Sequence, residues 1–234
     1  MITIGHRGCA GVEPENTFRG FKAAIDLGVS AVELDIRATK DKQLVVIHDA
    51  FLDRTTNIKG KVSDYTYKEL LKADAGKKEK VPLLIEVLEL VRPSNVIVHV
   101  ELKEPGLVEL MLKEIRELKM LERVCVISFW HKELVKVKKI EPSVKTGILT
   151  VSNPVNVKSL VRDTMVEFVS IALGMADRML VEDVHKCNGF ITVWGGIDSV
   201  EKIDQAVNLG VDGIATDFPG LLIKRLNEIS KIYK

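Results

Sequence analysis

The chain has 234 residues, a formal net charge of +1 at pH 7 and 46% hydrophobic residues. This length suits one large domain or two small ones, and the hydrophobic fraction is sufficient for a sizeable core. The small net charge argues against a nucleic-acid partner or an anionic membrane surface, and no apolar run reaches the ~20 residues of a membrane-spanning helix. We therefore expect no nucleic-acid partner and no integral membrane segment.

Short β-rich runs alternate with amphipathic helical patterns along most of the chain. The predicted strands are residues 2–5, 31–36, 96–102, 124–129, 146–149, 168–172, 190–194 and 213–216. The predicted helices between them are residues 17–27, 107–118, 132–140, 157–162, 175–186 and 200–209. Eight strands separated by helices predict the α/β class and a (β/α)8 TIM-type barrel formed by a single domain, 1–234. A doubly wound open sheet is the alternative, and the strand count disfavours it.

The amino terminus and the cysteines bear on location. The chain opens with MITIGHRG, a strand pattern in place of a signal peptide. The three cysteines are scattered, at Cys9, Cys125 and Cys187, and indicate reduced thiols instead of a disulfide framework or a zinc site. Both features predict a cytoplasmic protein. The sequence does not decide the oligomeric state, and a homo-oligomer is left open.

The first strand and the hairpin that follows it carry polar side chains. His6 and Arg7 end the first strand, and an arginine fork suits phosphate or carboxylate oxygens. Glu33 and Asp35 share one face of the second strand, because side chains alternate with period two. A turn centred between residues 41 and 42 would place His48, at the end of the returning arm, opposite Asp35. Such a cluster is typical of a metal-assisted acid–base site.

Residues 50–93 depart from the strict alternation of strands and helices. They are polar and turn-rich at first, and then helical around 67–72 and 84–90. We interpret this segment as a small helical insertion at the rim of the barrel, following the second strand and its hairpin. Loops at such a rim vary without disturbing the scaffold.

An internal similarity places one more carboxylate at the rim. Residues 24–35 align without a gap with residues 206–217, so Asp217 ends its strand as Asp35 does. Convergence of two helix–turn–strand units on the same packing would explain the similarity equally well. Asp217 is expected at the carboxyl-terminal rim in either case.

The strand predicted at residues 96–102 adds a third carboxylate and a second cation. Glu101 and Lys103 share one strand face and point to the same mouth as Asp35. Three carboxylates favour Mg²⁺ or Ca²⁺ over zinc, because hard cations prefer oxygen ligands. His99 lies two residues deeper on that face and is interpreted as a packed interior histidine. A cation, basic side chains and two histidines around one mouth fit phosphoryl chemistry.

Several motifs, in order along the chain, resemble the glycerophosphodiester phosphodiesterase family of phospholipase-C-like TIM barrels. They are GHRG (5–8), PENT (14–17), VELDI (32–36), VIHD (46–49), LDRTT (52–56), VELK (100–103), Ser128-Phe129 and TDFP (216–219). The resemblance implies hydrolysis of a small-molecule glycerophosphodiester to glycerol 3-phosphate and an alcohol, through a cyclic phosphate. It also implies one divalent cation, Mg²⁺ or Ca²⁺, with Mn²⁺ as a further candidate.

The resemblance assigns roles residue by residue. The acid–base pair would be His6 and His48, the metal ligands Glu33, Asp35 and Glu101, and the phosphate or substrate contacts Arg7, Lys103 and Trp194. Ser128, Asp217 and Phe218 lie in matching motifs and are further site candidates.

The chain departs from the family pattern where it reads Trp194-Gly195-Gly196-Ile197, because the family usually has Trp-Thr-Val-Asn there. A polar rim contact is then missing, which leaves the alcohol of the substrate open. A related enzyme acting on a lysophospholipid or another phosphodiester is one alternative, and it would need an apolar groove. Phe51, Trp130, Trp194 and Phe218 could form that groove. The alternative of another class is a non-catalytic phosphate-binding barrel.

Overall fold

The computed structural model of the protein describes residues 1–232. Its strands are β1 (Ile2–Gly5), β2 (Ala31–Ala38), β3 (Leu44–Val46), β4 (Ile97–Leu102), β5 (Val124–Ser128), β6 (Lys145–Thr150), β7 (Phe168–Ala172), β8 (Phe190–Trp194) and β9 (Gly213–Thr216). They follow the order β1-β9-β8-β7-β6-β5-β4-β2-β3, and β1 pairs with β2 to close the sheet. All pairs are parallel except β2 with β3. The predicted TIM-type barrel is confirmed.

Helices surround this barrel. They are α1 (Phe18–Asp26), α2 (Tyr67–Leu70), α3 (Leu84–Val91), α4 (Val108–Glu117), α5 (His131–Ile140), α6 (Val157–Thr164), α7 (Arg178–His185), α8 (Val200–Leu209) and α9 (Pro219–Ile232). Side chains of Thr17, Asn156, Asp177 and Ser199 cap α1, α6, α7 and α8 by accepting backbone N–H bonds. Among the described residues, no helix has the length and apolar character needed to cross a bilayer.

Side-chain alternation along the strands separates two apolar regions. Outward residues such as Val32 and Leu34 join the core between the sheet and the helices. Inward residues such as Ile127 and Phe168 fill the barrel itself. Gly147 is required beside Phe168, because a Cβ atom there would lie 2.3 Å from the ring. The plugged lower barrel confines the polar residues to the carboxyl-terminal end of the strands.

The segment after β3 has a small core of its own. Its members are Val45, Ile47, Leu52, Val62, Leu70, Ala75 and Val81. Within the expected insertion 50–93, α3 packs against α1 and α4 as a barrel helix does. We therefore propose that the insertion ends before α3.

The predicted register of the hairpin was wrong by one residue. Ile36 pairs with Val46, and the N–H of Ile47 donates to the carbonyl of Asp35 at 2.9 Å. The N–H of Thr39 donates to the carbonyl of Gln43, which leaves residues 40–42 as a three-residue loop in which Lys42 has φ 62°. Such loops usually carry glycine at this left-handed position, and a lysine there does not indicate this type of turn. Asp35 is therefore opposite Ile47, and His48 lies one residue beyond the pair.

Candidate active site

The turn after β1 directs two side chains into the barrel mouth. Arg7 has φ 50° and Gly8 has φ 86°, so the chain reverses sharply after His6. A Cβ atom on Gly8 would lie 2.6 Å from the carbonyl carbon of Gly20. This contact explains why glycine follows the His-Arg pair.

Three buried carboxylates converge at the ends of β2 and β4. Glu33, Asp35 and Glu101 are 4%, 0% and 7% exposed, and each offers an oxygen atom within 4.8 Å of the others. Parallel pairing of Asp35 with Glu101 sets this proximity. Burial, together with the charge of Asp35, raises the pKa of Glu33 to about 7 and that of Glu101 to about 8. The cluster is therefore short of positive charge.

Two basic side chains provide part of that charge. The Nζ of Lys103 lies 2.6 Å from Oε1 of Glu101 and 3.5 Å from Oδ1 of Asp35. The Nε of Arg7 lies 3.5 Å from Oδ2 of Asp35, and its backbone N–H donates to Oε2 of Glu33 at 2.9 Å. Burial opposes ionisation of Asp35, but the nearby cations outweigh it and lower the pKa of Asp35.

Two carboxylate oxygen atoms in the cluster have no hydrogen-bond partner, which bears on whether a metal ion fits there. Among the described residues, Oε1 of Glu33 and Oδ1 of Asp35 are buried without a hydrogen-bond partner. Buried polar atoms are normally paired, and an unpaired carboxylate oxygen is especially costly. Three carboxylates supply the oxygen ligands that hard divalent cations prefer. The residues present therefore fit a divalent cation.

Each of the two histidines is held by a carboxylate. Nδ1 of His6 lies 2.6 Å from Oδ1 of Asp217, and Nδ1 of His48 lies 2.6 Å from Oδ1 of Asp49. Both rings line the same cavity, with Nε2 free of these bonds. The pKa of His6 is raised, because Asp217 and Glu33 outweigh its burial. The pKa of His48 is lowered, mainly because burial disfavours its charged form.

Sequence reasoning missed a network that joins these groups. Arg54 donates to Asp49 at 2.6 Å and to both carboxylate oxygens of Glu15 at 2.6 and 2.8 Å. Glu15 also accepts from Arg7 at 3.0 Å, and Asn16 donates to Asp35 at 2.8 Å. Glu15 and Asn16 lie in the PENT motif and Asp49 directly follows His48, which are the signals that could have identified them.

The remaining wall of the cavity is apolar. Phe129 and Trp194 meet edge to face with ring centres 5.7 Å apart. His99 lies deeper in the same cavity, is only 9% exposed and packs against Phe168, as its interpretation as an interior residue requires. The site thus has a charged side and an apolar side.

Two candidates lie outside the cavity. Ser128 is fully buried, donates to the carbonyl of Leu102 and accepts from the N–H of Trp130. The ring of Phe218 lies against Gly11 and borders a separate surface groove. The structure brings together the other predicted site residues, namely His6, Arg7, Glu33, Asp35, His48, Glu101, Lys103, Trp194 and, through His6, Asp217.

Residues 6–221 match the profile of the Glycerophosphoryl diester phosphodiesterase family. The chain is 38% identical to a glycerophosphodiester phosphodiesterase of Caldanaerobacter subterraneus subsp. tengcongensis, over 95% of this chain and 96% of that protein. It is 36% identical to mouse Lysophospholipase D GDPD1 over 49% of this chain and 40% of that protein. A solved glycerophosphodiester phosphodiesterase from Agrobacterium tumefaciens superposes with a TM-score of 0.81 at 28% identity, covering 95% of this chain and 99% of that one.

Proposed function

The chain belongs to the glycerophosphoryl diester phosphodiesterase family, which makes it a phosphoric diester hydrolase, and we propose that a divalent cation and two histidines carry its reaction. The substrate would be a small glycerophosphodiester, and the products sn-glycerol 3-phosphate and an alcohol. The main observation that supports this proposal is that His6 and His48 face one cavity with three buried carboxylates, and that Nδ1 of each histidine is hydrogen-bonded to an aspartate. A water molecule is consumed in the net reaction.

The two imidazoles supply the proton transfers. In the proposed reaction, one histidine removes the proton from the glycerol 2-hydroxyl as that oxygen attacks phosphorus. The other histidine protonates the departing alcohol oxygen, leaving a cyclic phosphate that water then opens. Asp217 and Asp49 fix the ring orientations, and such positioned acid–base groups typically contribute about 10²- to 10⁴-fold in rate.

Charge on the phosphodiester is met by the basic side chains and the cation. Glu33, Asp35 and Glu101 would hold Mg²⁺, Ca²⁺ or Mn²⁺, and the bound ion would stabilise the negative charge that develops on the phosphoryl oxygens. Arg7 and Lys103 lie beside these carboxylates and line the cavity, so their donors can bind phosphate oxygens directly. Trp194 forms part of the apolar wall.

We also propose a single barrel domain over residues 1–234, a cytoplasmic location and, as a candidate assembly, a homo-oligomer. Ser128 and Phe218 lie outside the cavity, and their proposed effect on substrate would act through the loops that they support.

The direct test is release of glycerol 3-phosphate from glycerophosphocholine and glycerophosphoethanolamine. Activity should disappear with EDTA and return with Mg²⁺, Mn²⁺ or Ca²⁺. His6→Ala and His48→Ala should each lose activity by about 10²-fold or more. His185→Ala is a matched control, because His185 is exposed on α7 and bonds only Asp212 among the described residues. Unchanged activity in either site variant would overturn the two-histidine mechanism, whereas no release by folded protein with any of these cations would favour the non-catalytic phosphate-binding barrel.

A lysophospholipid is the second candidate substrate. Phe129 and Trp194 form an apolar wall beside the charged groups, and it could contact an acyl chain. The similarity to a lysophospholipase D over half of the chain supports the same possibility. Comparing kcat/KM for lysophosphatidylcholine and glycerophosphocholine distinguishes the two substrates, and a higher value for the soluble diester would exclude this candidate.

A further inference from the structure

The rim of the barrel mouth is divided by charge. The loops that follow β9, β1, the β2–β3 hairpin and β4 carry the charged residues of the site. The loops that follow β5, β6, β7 and β8 contain no Lys, Arg or Glu, and their only charged residues are Asp177 and Asp198, directly before or close to the start of α7 and α8; the loops are residues 129–130, 151–156, 173–177 and 195–199. These four strands are consecutive neighbours in the sheet, so their loops form one continuous arc. We call this arc the apolar rim.

Large apolar side chains on the apolar rim face solvent. Its exposed members are Phe129, Trp130, Val151, Val155 and Met175. Val155 is completely exposed, at 106% of its reference area. Contiguous exposed apolar side chains on this scale mark a contact surface more often than an accident of composition.

The loops of the apolar rim are held in place by hydrogen bonds. Thr150 accepts from the N–H of Ser152, and Asn156 caps α6 immediately after Val155. Trp130 is fixed by its backbone N–H to Ser128 and by its indole N–H to the carbonyl of Lys103 at 3.3 Å. The exposed side chains are therefore presented by ordered backbone.

The position of the apolar rim indicates what covers it. Phe129 both borders the cavity and belongs to the rim, so a protein partner seated there would obstruct the mouth through which substrate enters. A lipid surface accepts apolar side chains while leaving its polar headgroups facing the charged half of the mouth. Tryptophan favours this boundary, because its ring is apolar and its N–H is polar. These four loops contain no Lys or Arg that would attract anionic lipids, which favours neutral or zwitterionic lipids.

We propose that the apolar rim docks on the surface of a zwitterionic lipid layer, with Trp130 and Val155 entering the headgroup region. The charged half of the mouth then faces the headgroups. Docking of this kind is peripheral and reversible, since only a few side chains are buried. It does not depend on the reaction proposed above.

Co-sedimentation with phosphatidylcholine vesicles tests the docking surface in the intact chain. The unaltered protein should bind, and the bound fraction should be insensitive to salt. The double variant Val151→Asp/Val155→Asp should bind at least about tenfold more weakly, because it places two charges in the lipid contact. In a Trp194→Phe background, Trp130 is the only tryptophan, and its emission should shift to the blue on binding.

Met165→Asp is the matched control. Met165 is also exposed and apolar, but it follows the last turn of α6, at the opposite end of the barrel. Its φ of 56° lies in the left-handed region, where Asp is enriched, so the change introduces one of the same charges away from the rim. This variant should bind vesicles as the unaltered protein does. Equal binding by all three proteins, or no binding by the unaltered one, would overturn the proposal.

Two further measurements separate lipid docking from self-association and from the proposed reaction. Sedimentation of the free protein reports its oligomeric state, and a dimer that the double variant dissociates would identify a second copy as the occupant and overturn lipid docking. Hydrolysis of soluble glycerophosphocholine should be equal in the double variant and the unaltered protein. If the double variant loses vesicle binding but keeps hydrolysis, the result supports docking by the apolar rim. If the unaltered protein does not hydrolyse the diester, only the proposed function is contradicted.

Discussion

Carboxylates behind the histidines are the main feature at the scale of single residues. Asp217 and Asp49 each bind Nδ1 of an imidazole, so the tautomer and the ring orientation are set from outside the cavity. Asp49 is in turn fixed by Arg54. The geometry of the proposed proton transfers therefore depends on residues that line no part of the cavity.

Asp49→Asn should lower kcat about 10- to 100-fold with little change in KM, as is typical when the partner that orients a functional histidine is altered. Asp49 raises the pKa of His48 through its hydrogen bond, so the variant should move the corresponding limb of the kcat–pH profile to lower pH. Steady-state kinetics across pH measures both effects.

Asp53→Asn is the control for that variant. Asp53 lies in the same loop and accepts from the N–H of Gly60, away from both histidines. Its kinetics should match those of the unaltered protein. A fall in kcat of the same size in both variants would show a general effect on the loop.

Glu114 on α4 links a single side chain to stability. Oε2 of Glu114 is buried and has no hydrogen-bond partner among the described residues, and burial raises its pKa to about 7. The folded state therefore holds a proton that the unfolded state releases near pH 4.5. This residue's contribution to stability is full below that pH and is lost as pH rises towards 7.

Glu114→Gln, which mimics the neutral carboxyl, should raise the melting temperature at pH 8 more than at pH 5. Thermal unfolding at the two pH values measures the difference. An equal change at both would contradict the assigned ionisation.

The sequence patterns predicted most site residues on strands and at their ends, but they missed site residues that lie farther along the loops. Glu33, Asp35 and Glu101 followed from alternation along strands, His6 from its position at the end of the first strand, and Asp217 from an internal similarity. Glu15 and Arg54 were not assigned to the site: the PENT motif contains Glu15, but the hydrogen bonds between Glu15 and Arg54 span 39 positions and are not visible in the sequence. Ser128 was predicted as a site residue, but its hydroxyl is used within the protein.

At the scale of elements, side-chain packing inside the barrel fixes where the strands can meet. Phe168 on β7 lies over Gly147 on β6, and these two residues are also partners in the ladder. The alternation of the sequence predicted both strands but not this pairing of large and small side chains. The hairpin register failed for a related reason, since Lys42 adopts a conformation that its residue type rarely signals.

Gly147→Ala should lower the free energy of unfolding by about 1–3 kcal/mol, because the added Cβ would overlap the ring of Phe168. Chemical denaturation measures this change. Gly174→Ala is the control, since its Cβ would meet nothing within 4 Å, and it should be neutral or slightly stabilising. Equal stability of the two variants would show that the barrel interior adjusts freely.

At the scale of the whole molecule, the mouth concentrates buried negative charge on one side of the barrel. Three carboxylates within 4.8 Å of one another oppose folding to the extent that Arg7 and Lys103 leave their negative charge unbalanced. The scaffold is thus expected to be coupled to metal binding.

A divalent cation at a hundredfold excess over its Kd should stabilise the protein by about 2.7 kcal/mol, or roughly 5–10 °C in Tm. EDTA should reverse the change. Glu33→Gln should remove most of the response, whereas Glu109→Gln, which alters an exposed partner of Lys136, should retain it. Calorimetry with each cation would measure these shifts, and an equal response in both variants would place the ion elsewhere.

The two histidines are held by different parts of the structure, because the segment after β3 has a small core of its own. His6 is carried by the barrel, whereas His48 follows β3 and is braced by a segment whose buried residues form a separate cluster. A small cooperative unit can open with less free energy than global unfolding requires. Fluctuations of that unit would move His48, one of the two proposed proton-transfer groups, out of the cavity while the carboxylates stay assembled. Heat should therefore abolish turnover before the barrel melts, with amide exchange fastest between β3 and α3.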